Sequence, residues 1–209
     1  MLVRDIMRSP VVTISPNTSL QDAYRIITEK GIRHLPVLDE GKLVGIITDR
    51  DLRLATSALS SSPFPPESRV EGVMRRNPLT ADTLDPVEDA ARVMWERKIG
   101  CLPVMSDGQL LGIITGIDLL DALMRLTGVD KPSGRLEVRL TDHPGELTRL
   151  TGFLSRRDLN VHSILTYPDG PDHVRVVLRI GSMEVRRIAN DMRGAEFEVL
   201  WPPEKPCPR

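Results

Sequence analysis

Two short segments of the chain, GIITDRD at 45–51 and GIITGID at 112–118, share the spacing Gly-x-x-Thr-x-x-Asp. Each places a hydroxyl (Thr48, Thr115) three residues before a carboxylate (Asp51, Asp118), directly after a run of apolar residues. If the run is a strand and the threonine opens a helix, the two polar side chains share one surface about a turn apart. A helix start exposes free N–H groups and partial positive charge, which favour phosphate. An ionised aspartate offers two acceptor oxygens, suited to the two hydroxyls of a ribose. The chemistry that this arrangement would allow is recognition of a nucleotide. Thr and Asp at a strand-to-helix junction also serve as a plain N-cap, so both readings stand.

The elements that must position these residues recur as well. HLPVLDEGKLVGIITDRDL matches CLPVMSDGQLLGIITGIDL at a constant offset of 67 residues, which carries Pro36 to Pro103, Gly45 to Gly112 and Asp51 to Asp118. Upstream, Leu20, Ala23, Tyr24 and Ile27 trace one helical face, and Val87, Ala90, Ala91 and Met94 repeat it. Thr18 with Gln21 predicts a capping box for the first helix. For the second, Asp85 is the expected N-cap, with Pro86 at the first helical position and Glu88 in the first turn. Earlier still, RDIMRSPVVTISP resembles EGVMRRNPLTADTLDP, with a small insertion expected in the second copy. Each copy reads as strand, helix, strand, strand, helix, and two copies packed together would share a core.

From Arg135 the pattern changes. LEVRL alternates, Leu147, Leu150, Thr151 and Leu154 give a helical face, NVHSILTY is a strand, YPDGPD a turn and HVRVVLRI a second alternating strand. Val185, Ile188, Ala189 and Met192 give a second helical face before the strand EFEVLW. The order βαββαβ is the ferredoxin-like arrangement. The predicted fold class is therefore α/β and α+β: two βαββα repeats sharing a core, then a ferredoxin-like domain. The predicted boundaries are 1–56 and 69–127 for the repeats, 57–68 and 128–134 for Ser/Pro-rich or Gly-containing linkers, 135–201 for the last domain and 202–209 for a tail.

Of the 209 residues, 40% are hydrophobic and 27% charged, with a net charge of −1. This balance carries no cationic surplus of the kind that a nucleic-acid or anionic-membrane partner requires, and basic pairs such as Arg75-Arg76 and Arg156-Arg157 read as solvated faces. Cys101 and Cys207 make no disulfide framework, and the latter is expected in a frayed end. The charged start MLVRDIM predicts no secretory signal, and no apolar run approaches bilayer length, so a cytoplasmic location is expected. No GxSxG, P-loop, GxGxxG, HExxH or CxxC occurs, and Asp142-His143 has no accompanying nucleophile, which argues against an enzyme. Three of the four histidines, His143, His162 and His173, fall in the last domain. If YPDGPD closes a hairpin, His162 pairs near Leu178 and lies roughly 16 Å from His173, too far for a shared metal.

The duplicated apolar-Pro-apolar and Gly-x-x-Thr-x-x-Asp motifs resemble a tandem CBS-domain pair. The segment DHPGEL leading into a helix, with LNVHSI on the next strand, resembles an ACT domain. The order CBS–CBS–ACT is similar to bacterial acetoin-utilisation regulatory proteins. The resemblance implies an adenine nucleotide (AMP, ADP or ATP) as regulatory ligand, with no catalytic cofactor. Threonine would contact phosphate and aspartate ribose. The base would be lined by Arg33, His34, Leu35 and Pro36 with Val12 and Thr13 in the first copy. In the second copy Gly100, Cys101, Leu102 and Pro103 with Thr80 and Ala81 would line it. Around the first motif stand Arg33, His34, Arg50 and Arg53, where the second has Gly100, Cys101, Ile117 and Leu120. The first site is thus expected to take the more highly charged ligand, or its arginines form an ordinary solvated face.

The ACT resemblance implies a small amino acid at Asp142, His143, Pro144, Gly145, Glu146 and Leu147, with Asn160 reaching the same ligand. On the plainer reading Asp142 caps the helix, Pro144 begins it, and the domain only dimerises. The functional expectation is a homodimeric sensor acting on an unidentified regulated protein. The alternative is a structural adaptor with empty sites.

Overall fold

A computed structural model describes residues 1–204; Cys207 and the last part of the expected tail lie outside the described residues. The chain forms two compact units, Met1–Ala122 and the part from Leu123 onward.

The first unit contains α1 (Leu20–Lys30), β1 (His34–Asp39), β2 (Lys42–Thr48) and α2 (Asp49–Ala55) from the first repeat. The second repeat supplies β3 (Arg75–Arg76), β4 (Ala81–Asp82), α3 (Val87–Arg97), β5 (Cys101–Ser106), β6 (Gln109–Thr115) and the start of α4 (Gly116–Thr127). Each hairpin places every second side chain on its core. Leu35, Val37 and Ile47 are buried in one repeat, and Leu102, Val104 and Ile114 at the positions 67 residues on. The expected first strand of the first repeat shrinks to an isolated parallel bridge, Ile14 to Val37. Its counterpart is the two-residue β4, with Ala81 beside Val104. The offset from Ile14 to Ala81 is again 67, so the expected insertion in the second copy does not exist.

The shared core takes a specific form, because the leading segments are exchanged. Val3 packs in the core of the second repeat with Val87, Leu102 and Ile114. Val70 packs in that of the first with Leu20, Leu35 and Ile47. Arg8 bridges Ile113 on β6. Arg75, on β3, pairs with Ile46 of β2. Between the sheets, Ile46, Cys101 and Ile113 form a small buried cluster.

The helix starts differ by one residue from expectation. Ser19, not Thr18, caps α1 by accepting from Asp22 N–H at 3.0 Å. Pro86 occupies the N-cap position of α3 instead of its first turn. The Asp85 carboxylate accepts from Asp82 N–H. The 57–68 segment has no helix or strand, yet it is held in place: Phe64 donates to Ala55, Gln21 to Pro66 and Leu20 to Ser68 through their backbones.

In the second unit, β7 (Gly134–Thr141), α5 (Glu146–Ser155), β8 (Val161–Pro168), β9 (His173–Ile180), α6 (Val185–Gly194) and β10 (Glu198–Trp201) form a four-stranded antiparallel sheet in the order β10-β7-β9-β8. This is the ferredoxin-like order. Leu136, Val138, Val176 and Leu178 face Leu150, Leu154, Ile188 and Met192 in one core. On the opposite face of the sheet Glu137 is buried beneath Arg135, Tyr167 and Arg175, all within hydrogen-bond reach of its carboxylate.

The exchange depends on two glycines. A Cβ at Gly45 would lie 2.5 Å from Met74 Sδ and 3.1 Å from Arg75 O, and one at Gly112 would lie 2.6 Å from Met7 Sδ. Gly45→Val should therefore lower stability by about 1–3 kcal/mol through overpacking, and Met74→Ala should reduce that loss. Urea denaturation of the two single variants and the double variant checks both.

Candidate functional site

The site is built at the junction of β2 and α2. Thr48 is the N-cap: its Oγ1 accepts from Asp51 N–H at 3.1 Å, while its own N–H donates back to Asp51 Oδ2 at 3.1 Å. The Thr48 hydroxyl also donates to Asp51 Oδ2 at 2.7 Å. This reciprocal capping box orients the aspartate. It also consumes one of the two carboxylate oxygens. Among the described residues Oδ1 accepts no hydrogen bond and is ion-paired with Arg75 at 3.7 Å. One acceptor, not two, is thus open to a sugar hydroxyl. The hydroxyl proton of Thr48 is committed to Asp51 and must turn away before it can serve a phosphate.

Beside this junction lies a cavity of about 930 Å³. Of the residues singled out from the sequence, it brings together Thr48, Arg50, Asp51, Arg53, Arg33 and His34, and with them Gly100, Cys101 and Pro103, which were expected to line the second copy's site instead. It does not include Pro36, Val12 or Thr13. Pro36 is paired with Ile46 in the hairpin, and Val12 packs against the first repeat's core. Thr80 is exposed, and Ala81 belongs to the core of the second repeat. Thr115 and Asp118 stand at their own junction of β6 and α4, where Thr115 N–H donates to Asp118 at 2.8 Å.

The exchanged segment adds residues that sequence reasoning missed. Arg75, Arg76, Asn77, Pro78 and Leu79 form part of the cavity wall, as does Lys98. The basic pair Arg75-Arg76 is solvent-exposed, as expected, and also lines this cavity. The signal was available in the constant offset, which makes Arg8 and Arg75 counterparts just before the first strand of each repeat. The wall now holds five arginines and a lysine against two aspartates, Asp49 and Asp51. Arg53 is paired with Asp49 at 2.7 Å and Arg76 with Glu71 at 3.0 Å. Among the described residues, Arg33, Arg50 and Lys98 have no carboxylate partner. Ile27, Ile46, Leu79 and Pro103 supply the apolar part of the wall.

His34 and Cys101 are also tuned by position. Partial burial, helped by the neighbouring Arg33, lowers the His34 imidazole below its ordinary pKa. Its ring lies against Gly100, where a Cβ would come within 2.9 Å of Nε2. Burial pushes the Cys101 thiol up to about 12.

In the second unit the loop Asp142–Gly145 is exposed. The helix there starts at Glu146 with Gly145 as its N-cap at φ +99°, a conformation that favours glycine. Asp142 makes no cap and Pro144 does not begin the helix. The Glu146 carboxylate is paired with Arg149, and Leu147 is exposed. Asn160 precedes β8, whose first residue pairs with Ile180, whereas the loop follows Thr141, which pairs with His173. The two lie at opposite ends of β9, roughly 23 Å apart, and do not converge within one chain. A bulge at His162 moves that ring away from Leu178 to the side of Gly181, farther still from His173.

Comparison with known proteins agrees with this architecture. The family model described as the CBS domain matches residues 3–57 and 70–125. The chain belongs to the CBS-domain family. The ACT domain matches residues 134–196. This CBS pair is 40% identical over 138 residues to a CBS domain-containing protein of Dictyostelium discoideum, covering 60% of this chain and 92% of that protein. It is 38% identical over 120 residues to L-aspartate semialdehyde sulfurtransferase of Methanocaldococcus jannaschii, covering 56% of this chain but only 22% of the relative.

Among solved structures it resembles the CBS-domain pair of protein MJ0100 in complex with 5′-methylthioadenosine and S-adenosyl-L-methionine (TM-score 0.54, 34% identity, 63% of this chain, 98% of that one). It also resembles CBSX2 in complex with AMP (TM-score 0.54, 30% identity, 60% and 97% covered). The AcuB acetoin utilization protein from Vibrio cholerae is similar as well (TM-score 0.55, 30% identity, 64% and 98% covered).

Two outcomes follow for this CBS pair. The depressed His34 pKa means that the unfolded chain binds more protons below about pH 6.5, so stability present above that pH is lost as the solution is acidified. His34→Gln should flatten this part of a pH–stability profile measured by urea denaturation. In a Cys207→Ser variant, Cys101 should react with a disulfide reagent much more slowly in the folded than in the unfolded protein, because burial disfavours its thiolate. Rapid labelling under native conditions would contradict its burial.

Proposed function

We propose that the CBS pair is a regulatory sensor for an adenine nucleotide carrying more than one phosphate, bound in the cavity beside Thr48 and Asp51. The observation that carries this is the wall itself: one carboxylate oxygen of Asp51 that accepts no hydrogen bond, an apolar strip, and Arg33, Arg50 and Lys98, which have no carboxylate partner among the described residues. Asp51 Oδ1 would accept from a ribose hydroxyl. Ile27, Ile46, Leu79 and Pro103 would cover the base. The cations, more than Thr48, would take the phosphates, and each added phosphate would gain from them. The adenosyl ligands named for MJ0100 and CBSX2 support the nucleoside part.

Both repeats contribute to the wall, so a ligand that fits one arrangement of the repeats better than another shifts the population toward it. The signal would pass to the ACT domain or to a regulated protein in the cytoplasm, with the chain acting as a homodimer and without turnover of the ligand. The likeness to AcuB supports a link to acetoin utilisation. An amino acid at Asp142–Leu147 would need a second chain to complete its site, since Asn160 is out of reach.

Thermal shift and calorimetry with AMP, ADP and ATP test this. At a hundred times its dissociation constant a ligand adds about 2.7 kcal/mol to stability. We expect ATP and ADP to bind more tightly than AMP, Asp51→Ala to abolish the shift, and Arg50→Ala to weaken ATP more than AMP. AMP as the tightest ligand would overturn the role given to the cations. No shift with any nucleotide would leave the structural-adaptor alternative.

A further inference from the structure

The two motifs are equivalent in sequence but not in how their carboxylates are used. Asp51 and Asp118 each give one oxygen to their threonine. The second oxygen differs. Arg8 Nε donates to Asp118 Oδ1 at 2.8 Å, whereas Arg75, its counterpart 67 residues on, stands 3.7 Å from Asp51 Oδ1 and makes no hydrogen bond. The Asp118 side chain is 5% exposed and that of Asp51 14%. The Arg8 side chain is 68% exposed, as is that of Arg75, so the difference lies in the contact each makes with its aspartate. The Arg8 backbone N–H donates to Ile113 O at 2.9 Å and its carbonyl accepts from Ile113 N–H at 3.1 Å, so its backbone is pinned to β6 at the mouth of the second junction.

We infer that Arg8 occupies the second-repeat site as an internal ligand, filling the acceptor that a ribose would need and making the CBS pair a one-site sensor. This rests on the reading of the Asp51 cavity given above. A sugar hydroxyl at Asp118 would have to displace a charge-assisted hydrogen bond from a buried carboxylate, which weakens binding by at least about tenfold. On the helix after the second motif Ile117 and Leu120 stand where the first has Arg50 and Arg53, and Arg8 is engaged with Asp118. The site is thus closed by the same exchange that builds the first one.

Calorimetric stoichiometry with ATP and with adenosine tests this on the full chain. The wild type should bind one nucleotide per chain. Arg8→Ala, or the gentler Arg8→Gln, should expose a second site, and Arg8→Ala/Asp118→Ala should return to one. Two sites in the wild type, or a single site in Arg8→Ala that Asp51→Ala removes, overturns the inference while leaving the Asp51 reading intact. Binding by Arg8→Ala but not by the wild type overturns the Asp51 reading and supports the closure. A ligand-free readout accompanies these. Arg8→Ala should lower Tm in the wild type and not in an Asp118→Ala background; equal losses in both overturn the closure, and no nucleotide binding to any variant overturns both readings.

Discussion

The exchange of leading segments between the two repeats is the constraint on which the rest of the first unit depends. Each repeat has a hairpin and two helices but lacks the strip of apolar residues that completes its core. Val3 and Met7 supply it to the second repeat, and Val70 and Met74 to the first. The close approach is possible because Gly112 and Gly45 present no side chain to the incoming methionines. A small core gains disproportionately from such completion, since little apolar surface is otherwise removed from water. The cost is that neither repeat is independent: the fold is a pair.

From this follows the character of the site. The segment that delivers Met74 to the core continues through Arg75 to Leu79 along the wall beside Thr48 and Asp51. A cavity made by residues from both repeats can report on their mutual arrangement, which a cleft within one repeat could not. The capping box has a parallel double role. It satisfies the backbone N–H groups at the start of α2, and in doing so it fixes which carboxylate oxygen remains available. In the proposed binding mode, ligand and helix would compete for the same atoms, and the phosphates would fall to the surrounding cations more than to the threonine.

The ACT domain shows what topology imposes. In a βαβ crossover the second strand starts at the end of the sheet opposite to where the first one finished. That separates Asn160 from the Asp142–Gly145 loop whatever the side chains are. Gly145 is required there for its backbone, at positive φ, independently of any ligand.

Much was legible in the sequence. The 67-residue repeat, the alternation in Leu35, Val37 and Ile47, and the helical faces ending at Ile27 and Met94 are local patterns, and periodicity reports local structure directly. The βαββαβ order from Gly134 onward was legible for the same reason, as were Thr48 and Asp51, whose capping geometry spans three residues. What only the tertiary structure decided are the relations between distant segments: that Arg75–Leu79 face Asp51, that Arg8 reaches Asp118 across 110 residues, and that His162 is displaced by a bulge. No periodicity encodes these. They depend on where an exchanged segment is threaded and on how closely a glycine lets it approach, and those are set by packing in three dimensions.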